Sequence, residues 1–261
     1  MLAALSVSAG QDAELKLNDA RTTYGVLGPA RADQKLLPGD SLFVTFNIEG
    51  ISTDEEGKVL YSIATEVADA QGKVHFRQPA RDLDTVNALG GGHLPAYAQV
   101  DIGLDQPAGD YKLKVTVKDR ATGKTANLTQ DFQVTAKSFG LIRLTTTSDP
   151  EARMPAGQSI AGQSLWINGI VVGFGRSDKG DKQPNVTLEM RVLDENGKPT
   201  LAKPFTGVVN KDVASTANSL PIQFHLGLNR PGKFTVELKA TCAICGESAT
   251  QKFPITVSPN K

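Results

Sequence analysis

The chain has 261 residues, with 28 basic and 28 acidic side chains and a formal net charge of zero. Neutralising several phosphates usually leaves a basic excess, and none is present, so the charge balance excludes most nucleic-acid-binding proteins. No apolar stretch approaches the roughly 18–20 residues of a membrane-spanning helix. The length predicts two domains of roughly 100–200 residues, and 39% hydrophobic residues are enough for packed cores.

The first residues, MLAALSVSAGQD, are small and apolar and turn polar at Gln11. Val7 and Ala9 fit the small-residue pattern that precedes a signal-peptidase site, with cleavage after Ala9. A basic n-region and a complete apolar core of 7–15 residues are both missing. We therefore expect residues 1–10 to be the remnant of a signal peptide and the protein to be secreted, periplasmic or at the cell surface. The alternative is an ordinary frayed N-terminus.

Apolar and polar residues alternate at period two, which marks half-buried strands. The clearest alternations run over residues 42–48, 111–118, 186–192 and 234–239. Segments 23–28 and 138–147 are expected to add one strand at the start of each half. Asp-x-x-Gly turns at 69–72 and 194–197 predict tight hairpins. About seven short strands per half, separated by turns, indicate a β-sandwich.

The second half of the chain repeats the first. The segment PGDSLFVTF (38–46) aligns with AGQSLWING (161–169), and PAGDYKLKVTVKDRATGKTA (107–126) aligns with RPGKFTVELKATCAICGESA (230–249). Landmarks in one order indicate a duplicated domain, not a solenoid with a period of about 20–50 residues. We predict one domain at residues 11–136 and another at 137–261. The linker, residues 136–138, is short and favours a stiff pair; a bent pair with a flexible joint is the alternative.

The segment LDQPAGDYKL (104–113) places Pro and Gly before a Tyr that begins a strand. It resembles the tyrosine corner of immunoglobulin-like and fibronectin type III domains, whose Tyr hydroxyl bonds to the backbone of the preceding connection. Phe234 replaces Tyr111 in the second half, so that hydrogen bond is lost there. The resemblance implies an all-β chain of two homologous immunoglobulin-like β-sandwich domains in tandem. Tandem domains of this kind in exported bacterial proteins imply adhesion, spacer or assembly roles.

Two cysteines, Cys242 and Cys245, lie in the predicted last hairpin turn, aligned on Asp119 and Thr122 of the first half. Positions i and i+3 of a turn are close enough for a disulfide, which we predict here. Haem attachment needs a His after the second Cys, where Gly246 stands. A zinc site needs two more ligands, and a thioredoxin-like motif opens a helix. Unpaired thiols, and a redox or metal site, remain the alternatives.

Residues that could carry catalysis are sparse. Of the three histidines, none is paired with a nearby nucleophile, and His93 ends a Gly-rich loop without the G-x-S-x-G motif of esterases. We therefore predict no enzyme, no cofactor and no metal. Trp166 lies out of phase with its core neighbours Leu165 and Ile167. It is the candidate for a carbohydrate-binding face, and His93 and Tyr97 are further candidate binding residues.

Segments 79–98 and 199–221 join corresponding strands of the two halves and differ most in sequence, so we predict them to be long binding loops. Exposed strand edges are a second way to bind a partner. The predicted function is an exported, non-catalytic binding or structural module of the cell envelope, with a protein or an envelope polysaccharide as partner. An accessory carbohydrate-binding module with an exposed aromatic row that includes Trp166 is one alternative. A redox or metal protein that uses Cys242 and Cys245 is the other.

Overall fold

A computed structural model describes residues 14–178 and 180–260. The predicted signal-peptide remnant, residues 1–10, lies outside the described residues. Within them, each half of the chain contributes eight strands. Those of the first repeat are β1 (Lys16–Thr23), β2 (Lys35–Leu36), β3 (Ser41–Glu49), β4 (Lys58–Asp69), β5 (Val74–Val86), β6 (His93–Asp101), β7 (Gly109–Asp119) and β8 (Thr125–Val134). Those of the second repeat are β9 (Gly140–Thr147), β10 (Ser159–Ile160), β11 (Ser164–Val172), β12 (Val186–Leu193), β13 (Phe205–Val209), β14 (Ser219–Gly227), β15 (Gly232–Cys242) and β16 (Glu247–Ser258).

Each repeat forms one three-stranded and one five-stranded sheet, with the same strand order in both repeats. In the first repeat the orders are β1-β3-β6 and β2-β8-β7-β4-β5. In the second they are β9-β11-β14 and β10-β16-β15-β12-β13. The two-residue strands β2 and β10 each pair in parallel with the last strand of their own repeat. The chain is thus all-β, with two homologous immunoglobulin-like β-sandwich domains in tandem, and the predicted fold class is confirmed.

The core of the second repeat lies between its two sheets. Leu165 and Ile167 of β11 meet Met190 of β12, Val236 of β15 and Phe253 of β16 in one buried apolar cluster. These residues alternate along each strand with partly or fully exposed ones, because successive side chains of a strand point to opposite faces of the sheet. The period-two pattern of the sequence therefore marks the core face directly.

The two predicted Asp-x-x-Gly turns form in the same way in both repeats. Asp69 accepts hydrogen bonds from the backbone N–H groups of residues 71 and 73, and Asp194 accepts them from residues 196 and 198. Gly72 and Gly197 have positive φ angles of 81° and 75°, a conformation that glycine adopts without steric cost. Both turns are confirmed as tight hairpins.

Three sequence-based assignments are wrong. Residues 79–98 are not a loop, because β5 and β6 occupy all but 87–92, and β13 and the start of β14 interrupt 199–221. Segment 23–28 is not a strand either, since β1 ends at Thr23. The physical reason is clearest for β5, an edge strand exposed along nearly its whole length. A strand that buries neither face carries no period-two pattern to find.

By contacts between residues, the described chain divides into two compact units. The first consists of residues 14–20, Thr45–Ala98 and Tyr111–Asp131, and the second of Arg21–Val44, Gln99–Asp110 and residues 132–260. The second unit therefore contains two segments of the first repeat in addition to the whole second repeat. The predicted domain boundary after residue 136 and the geometry of the linker stay predictions.

Tyr24 belongs to the core of the second unit. Its ring lies 5.6 Å from the ring of Phe253, and its hydroxyl donates a hydrogen bond of 3.0 Å to Gln251 Oε1. Burial raises the pKa of Tyr24 to about 12, although the nearby Arg31 guanidinium works in the opposite direction. A residue of the first repeat thus completes the core of the second.

A buried ion pair lies beside Tyr24. Arg31 Nη1 is 2.9 Å from Asp40 Oδ2, and the two side chains are only 5% and 3% exposed. The other oxygen, Asp40 Oδ1, accepts hydrogen bonds from the backbone N–H groups of Ser41 and Arg143. Burial alone would lower the pKa of Arg31, but the Asp40 charge raises it above its ordinary value. Arg31 therefore stays charged, and the pair fixes segment 31–40 to β9.

Candidate functional site

Three loops meet at one end of the first repeat, and we call residues 50–57, 87–92 and 120–124 the first loop end. Backbone hydrogen bonds link these loops: Asn87 N–H donates to the carbonyl of Gly57 at 2.8 Å, and Gly50 N–H donates to that of Gly92 at 3.4 Å. The tip carries Leu89, which is fully exposed.

The same three connections of the second repeat form the second loop end, which consists of residues 173–185 without residue 179, which is not described, together with residues 210–218 and 243–246. Two side chains brace it. Arg176 donates to the carbonyl oxygens of Lys182 and Ala214 at 3.0 and 2.9 Å. Gln183 exchanges two hydrogen bonds with the backbone of Val213, at 2.9 and 3.1 Å. Side chains from one loop therefore hold the backbone of another, which makes this end a fixed surface.

The disulfide lies at the base of the second loop end. Cys242 and Cys245 are joined through their sulfurs, with Cα atoms 5.5 Å apart. Cys242 ends β15 and is fully buried, whereas Cys245 lies in the exposed turn before β16. The Cys242 sulfur also accepts a backbone hydrogen bond from Gly175 at 3.4 Å. The disulfide turn and loop 173–185 are thus connected.

Asp119 takes the place of Cys242 in the first repeat. Its carboxylate accepts the backbone N–H of Ser52 at 3.0 Å, and Ser52 corresponds in sequence to Gly175. It also accepts the N–H of Thr122 at 3.3 Å, as Cys242 accepts that of Cys245 at 3.1 Å. Burial alone would raise the pKa of Asp119, but the hydrogen bonds from Ser52, Thr122 and Ala121 hold it below its usual value. In each turn one side chain, Asp119 or Cys242, therefore accepts hydrogen bonds from backbone N–H groups at the same two positions of the repeat.

Trp166 lies on β11, in the outward phase between buried Leu165 and Ile167, and is half-buried. Its ring lies 4.6 Å from the ring of His225, its cross-strand partner on β14. Asn168, two residues along the same face, donates to Thr147 and accepts from Gln223. This face combines one aromatic pair with amides whose orientation is fixed by their mutual hydrogen bonds.

His93 and Tyr97 are both exposed residues of β6, and Tyr97 is 49% exposed. They belong to the first unit, whereas Trp166 and the disulfide belong to the second. The exposed aromatic side chains of the described residues are Phe76, Tyr97 and Phe205, on β5, β6 and β13. Three strands drawn from three different sheets do not form one aromatic row.

A cleft of about 990 Å³ opens in the second unit between segments 37–39, 101–105, 137–143 and 170–173. Its charged groups already have partners. Lys137 Nζ lies 2.7 Å from Asp105 Oδ1, Glu247 accepts the N–H of Phe139, and Arg143 donates to the carbonyl of Gly39. We assign no ligand to this cleft.

The bracing roles of Arg176 and Gln183 could not be predicted from the sequence. Ala214 and Val213, whose backbone groups these side chains hold, lie 38 and 30 positions away in the chain, and backbone acceptors leave no mark in a sequence. The alignment of Asp119 with Cys242 does point to this site, because two different acceptor side chains at one repeat position indicate that the same backbone N–H group is bound in both repeats.

No family model and no curated protein matches the chain. Among solved structures, it is similar to the C-terminal domain of the Streptococcus pyogenes antigen I/II-family protein AspA, at 9% identity and a TM-score of 0.32, covering 93% of this chain and 99% of that one. It is also similar to the C-terminal domain of the Streptococcus agalactiae AgI/II polypeptide BspA, at 8% identity and a TM-score of 0.30, covering 93% and 99%. A third similar structure is red sea bream transglutaminase, at 7% identity and a TM-score of 0.29, covering 95% of this chain and 32% of that one.

No helix in residues 14–178 and 180–260 is long and apolar enough to cross a membrane. No three His, Cys, Asp or Glu side chains among them are grouped so that they could hold a metal ion.

Proposed function

We propose that this protein is an exported, non-catalytic binding module of the cell envelope, and that the second loop end holds a protein partner. The observation that supports this is the bracing of loops 173–185 and 210–218 by Arg176 and Gln183. A surface that is already fixed loses little conformational entropy when a partner binds. Loops held on a rigid scaffold are also where sandwich domains place their contacts.

The chemistry of the second loop end suits a protein surface. Ile244 is an apolar side chain, 41% exposed, at the tip of the disulfide turn. Loop 210–218 of the same end contributes exposed residues that are small or carry opposite charges, namely Lys211, Asp212, Ala214, Ser215 and Thr216. An apolar anchor inside a polar rim is the usual anatomy of a protein–protein interface.

A carbohydrate module is the alternative, and the face around Trp166 favours it. A sugar ring would stack on an aromatic side chain and bond to oriented amides, and Asn168 and Gln223 are oriented by their own hydrogen bond. Against it, the Trp166 ring already contacts His225. The exposed aromatics lie on other strands. We therefore favour the protein partner.

Site-specific photo-cross-linking tests the proposal in the envelope fraction of cells that make the protein. A photoreactive amino acid replaces Ser215 at the second loop end, and in a matched control it replaces Leu89 at the first. We expect one protein adduct from position 215 only, and we expect Ile244→Glu to abolish it. Arg176→Met should weaken it, because the bracing of loop 210–218 is lost.

Equal adducts from positions 215 and 89 would contradict a binding surface at the second loop end. Recovery of polysaccharide alone, lost on Trp166→Ala and retained on Ile244→Glu, would establish the carbohydrate module instead.

A further inference from the structure

The two cysteines of the disulfide differ in exposure. Cys242 is fully buried at the end of β15, while Cys245 is an exposed turn residue beside exposed Ala243 and Gly246. Thiol–disulfide exchange proceeds by attack of a thiolate on one sulfur, and access decides which sulfur is attacked. An external thiolate therefore reaches Cys245 and not Cys242.

The buried sulfur is placed to leave as a thiolate. Its two backbone donors, Gly175 and Cys245, lie 3.4 and 3.1 Å away. Hydrogen bonds to the charged form of a group stabilise that form, and a leaving thiol with a low pKa leaves faster. A buried thiol without such donors would instead favour the neutral form.

The first repeat shows that this position accepts a negative charge. Asp119 is fully buried there as well, and Ser52 and Thr122 supply the two corresponding backbone donors. The net effect of the surroundings is to favour the ionised carboxylate. The repeat thus offers an internal comparison in which the same donors hold an anion.

We propose that Cys242–Cys245 is a thiol–disulfide exchange site. A thiolate attacks Cys245 Sγ, and a new S–S bond forms between the incoming sulfur and Cys245. The bond between Cys245 and Cys242 breaks, and its electron pair stays on Cys242 Sγ, which becomes a thiolate held by the N–H groups of Gly175 and Cys245. The thiol is the co-reactant, so atoms and electrons balance. The substrate class is a thiol, either a small free thiol or a cysteine of a protein.

The ring that the disulfide closes is small, with a sequence separation of three residues. Closing so short a loop stabilises the fold less than closing a long one. The rest of the turn survives without it, since the first repeat builds the same turn around Asp119. Opening the disulfide therefore leaves the sandwich folded, and exchange can occur in the native protein.

The first test uses the purified oxidised protein and reduced glutathione, followed by acid quench, iodoacetamide and peptide mass spectrometry. Trypsin releases residues 240–252 as one peptide, and its fragment ions distinguish the two cysteines. We expect glutathione on Cys245 and alkylation on Cys242, at least about tenfold over the reverse pattern. In a second arm a protein dithiol replaces glutathione, and we expect Cys242 and Cys245 both to become free thiols. Reaction in that arm alone would assign a protein cysteine as the source.

Adducts on both cysteines equally, or no reaction in either arm until the protein is unfolded in urea, would overturn the proposal. No binding partner is present in this assay, so its result is independent of the function proposed for the second loop end.

The second test measures the thiolate itself. In Cys245→Ser, absorbance at 240 nm against pH reports the Cys242 thiol, and Cys242→Ser is the matched control that leaves the exposed Cys245 thiol. We expect the Cys242 midpoint at least about one pH unit below that of the control, which should lie near the ordinary value of about 8.5. A Cys242 midpoint at or above the control would show that the two donors do not hold a thiolate, and the proposal would fail.

Discussion

The carboxylate of Asp119 and the sulfur of Cys242 accept equivalent backbone hydrogen bonds in two copies of one domain. In each copy one donor lies in the loop before β4 or β12, and the other lies in the turn itself. A carboxylate paired with a Thr hydroxyl and a disulfide are therefore alternative ways to close the same hairpin.

The most direct prediction is that the disulfide of the second repeat can be transferred to the first. We expect Asp119→Cys/Thr122→Cys to form a second disulfide, because these positions superpose by sequence on a pair whose Cα atoms are 5.5 Å apart. Thiol counting with and without reductant measures it, and Thr122→Cys alone is the control with one persistent thiol. A double variant that keeps two free thiols under oxidising conditions would contradict the equivalence.

The reverse exchange, Cys242→Asp/Cys245→Thr, should leave a folded protein. The chain-entropy model gives a four-residue loop no more than about 2 kcal/mol, so we expect the free energy of unfolding to fall by no more than that. Urea unfolding followed by fluorescence measures the change. Failure of this variant to fold would show that the second repeat depends on its disulfide.

Acid should loosen the first loop end and spare the second. The pKa of Asp119 is lowered in the folded state, so its contribution to stability is present above the ordinary carboxyl range and is lost as pH falls through the folded-state pKa. Hydrogen exchange between pH 6 and 2 should show falling protection of the Ser52 amide. The Gly175 amide, whose acceptor does not titrate, is the internal control. Parallel loss of protection at both amides would contradict this account.

The buried ion pair of Arg31 and Asp40 predicts an asymmetry between single and double substitution. Asp40→Leu leaves the buried Arg31 guanidinium with Asp33, whose side chain is 46% exposed, as its carboxylate partner, and should cost about 3 kcal/mol of unfolding free energy. Arg31→Met/Asp40→Leu removes both charges and should cost less, although the N–H groups of Ser41 and Arg143 still lose their acceptor. Urea denaturation of the three proteins measures this. A double variant less stable than Asp40→Leu would contradict the prediction.

Tyr24 should make the second unit sensitive to alkali. Burial raises its pKa to about 12, so its stabilising effect is complete below about pH 10, the value of an exposed Tyr, and is lost as pH rises toward 12. Tyr24→Phe lowers stability at neutral pH, because the hydrogen bond to Gln251 is lost, but removes this part of the alkaline loss. Thermal unfolding from pH 8 to 11 should show a shallower decline for the variant, and equal declines would contradict the assignment.

Strands that bury one face could be predicted from the sequence. Leu113, Val115 and Val117 alternate with lysines and a threonine and are all fully buried, so period and burial coincide. The prediction failed for β5, whose residues are exposed on both faces and whose position is set by backbone pairing with β4. Backbone pairing does not depend on the side-chain pattern, so the sequence of such a strand cannot be distinguished from that of a loop.

The candidate site was visible only in part. The i, i+3 spacing of the cysteines predicts that they lie close together, and the repeat alignment points to Asp119. The contacts of Arg31 and Arg176 are different, because Arg31 binds the carboxylate of Asp40 in the next turn and Arg176 binds main-chain carbonyls. Such contacts exist only once the chain has folded.

The hydrogen bond between Tyr24 and Gln251 spans 227 positions of the chain, and this sets the order in which the protein can fold. The second unit is discontinuous, and residues 21–44 cannot complete its core until β16, which lies far later in the chain, has been synthesised. Contacts of such long sequence separation form slowly, because a long loop must close before they repay its entropy. A chain that ended near residue 136 would leave Tyr24 without Phe253 and Asp40 without Arg143. Residues 21–44 are therefore the part of the second unit that stays exposed longest to proteases and chaperones during synthesis.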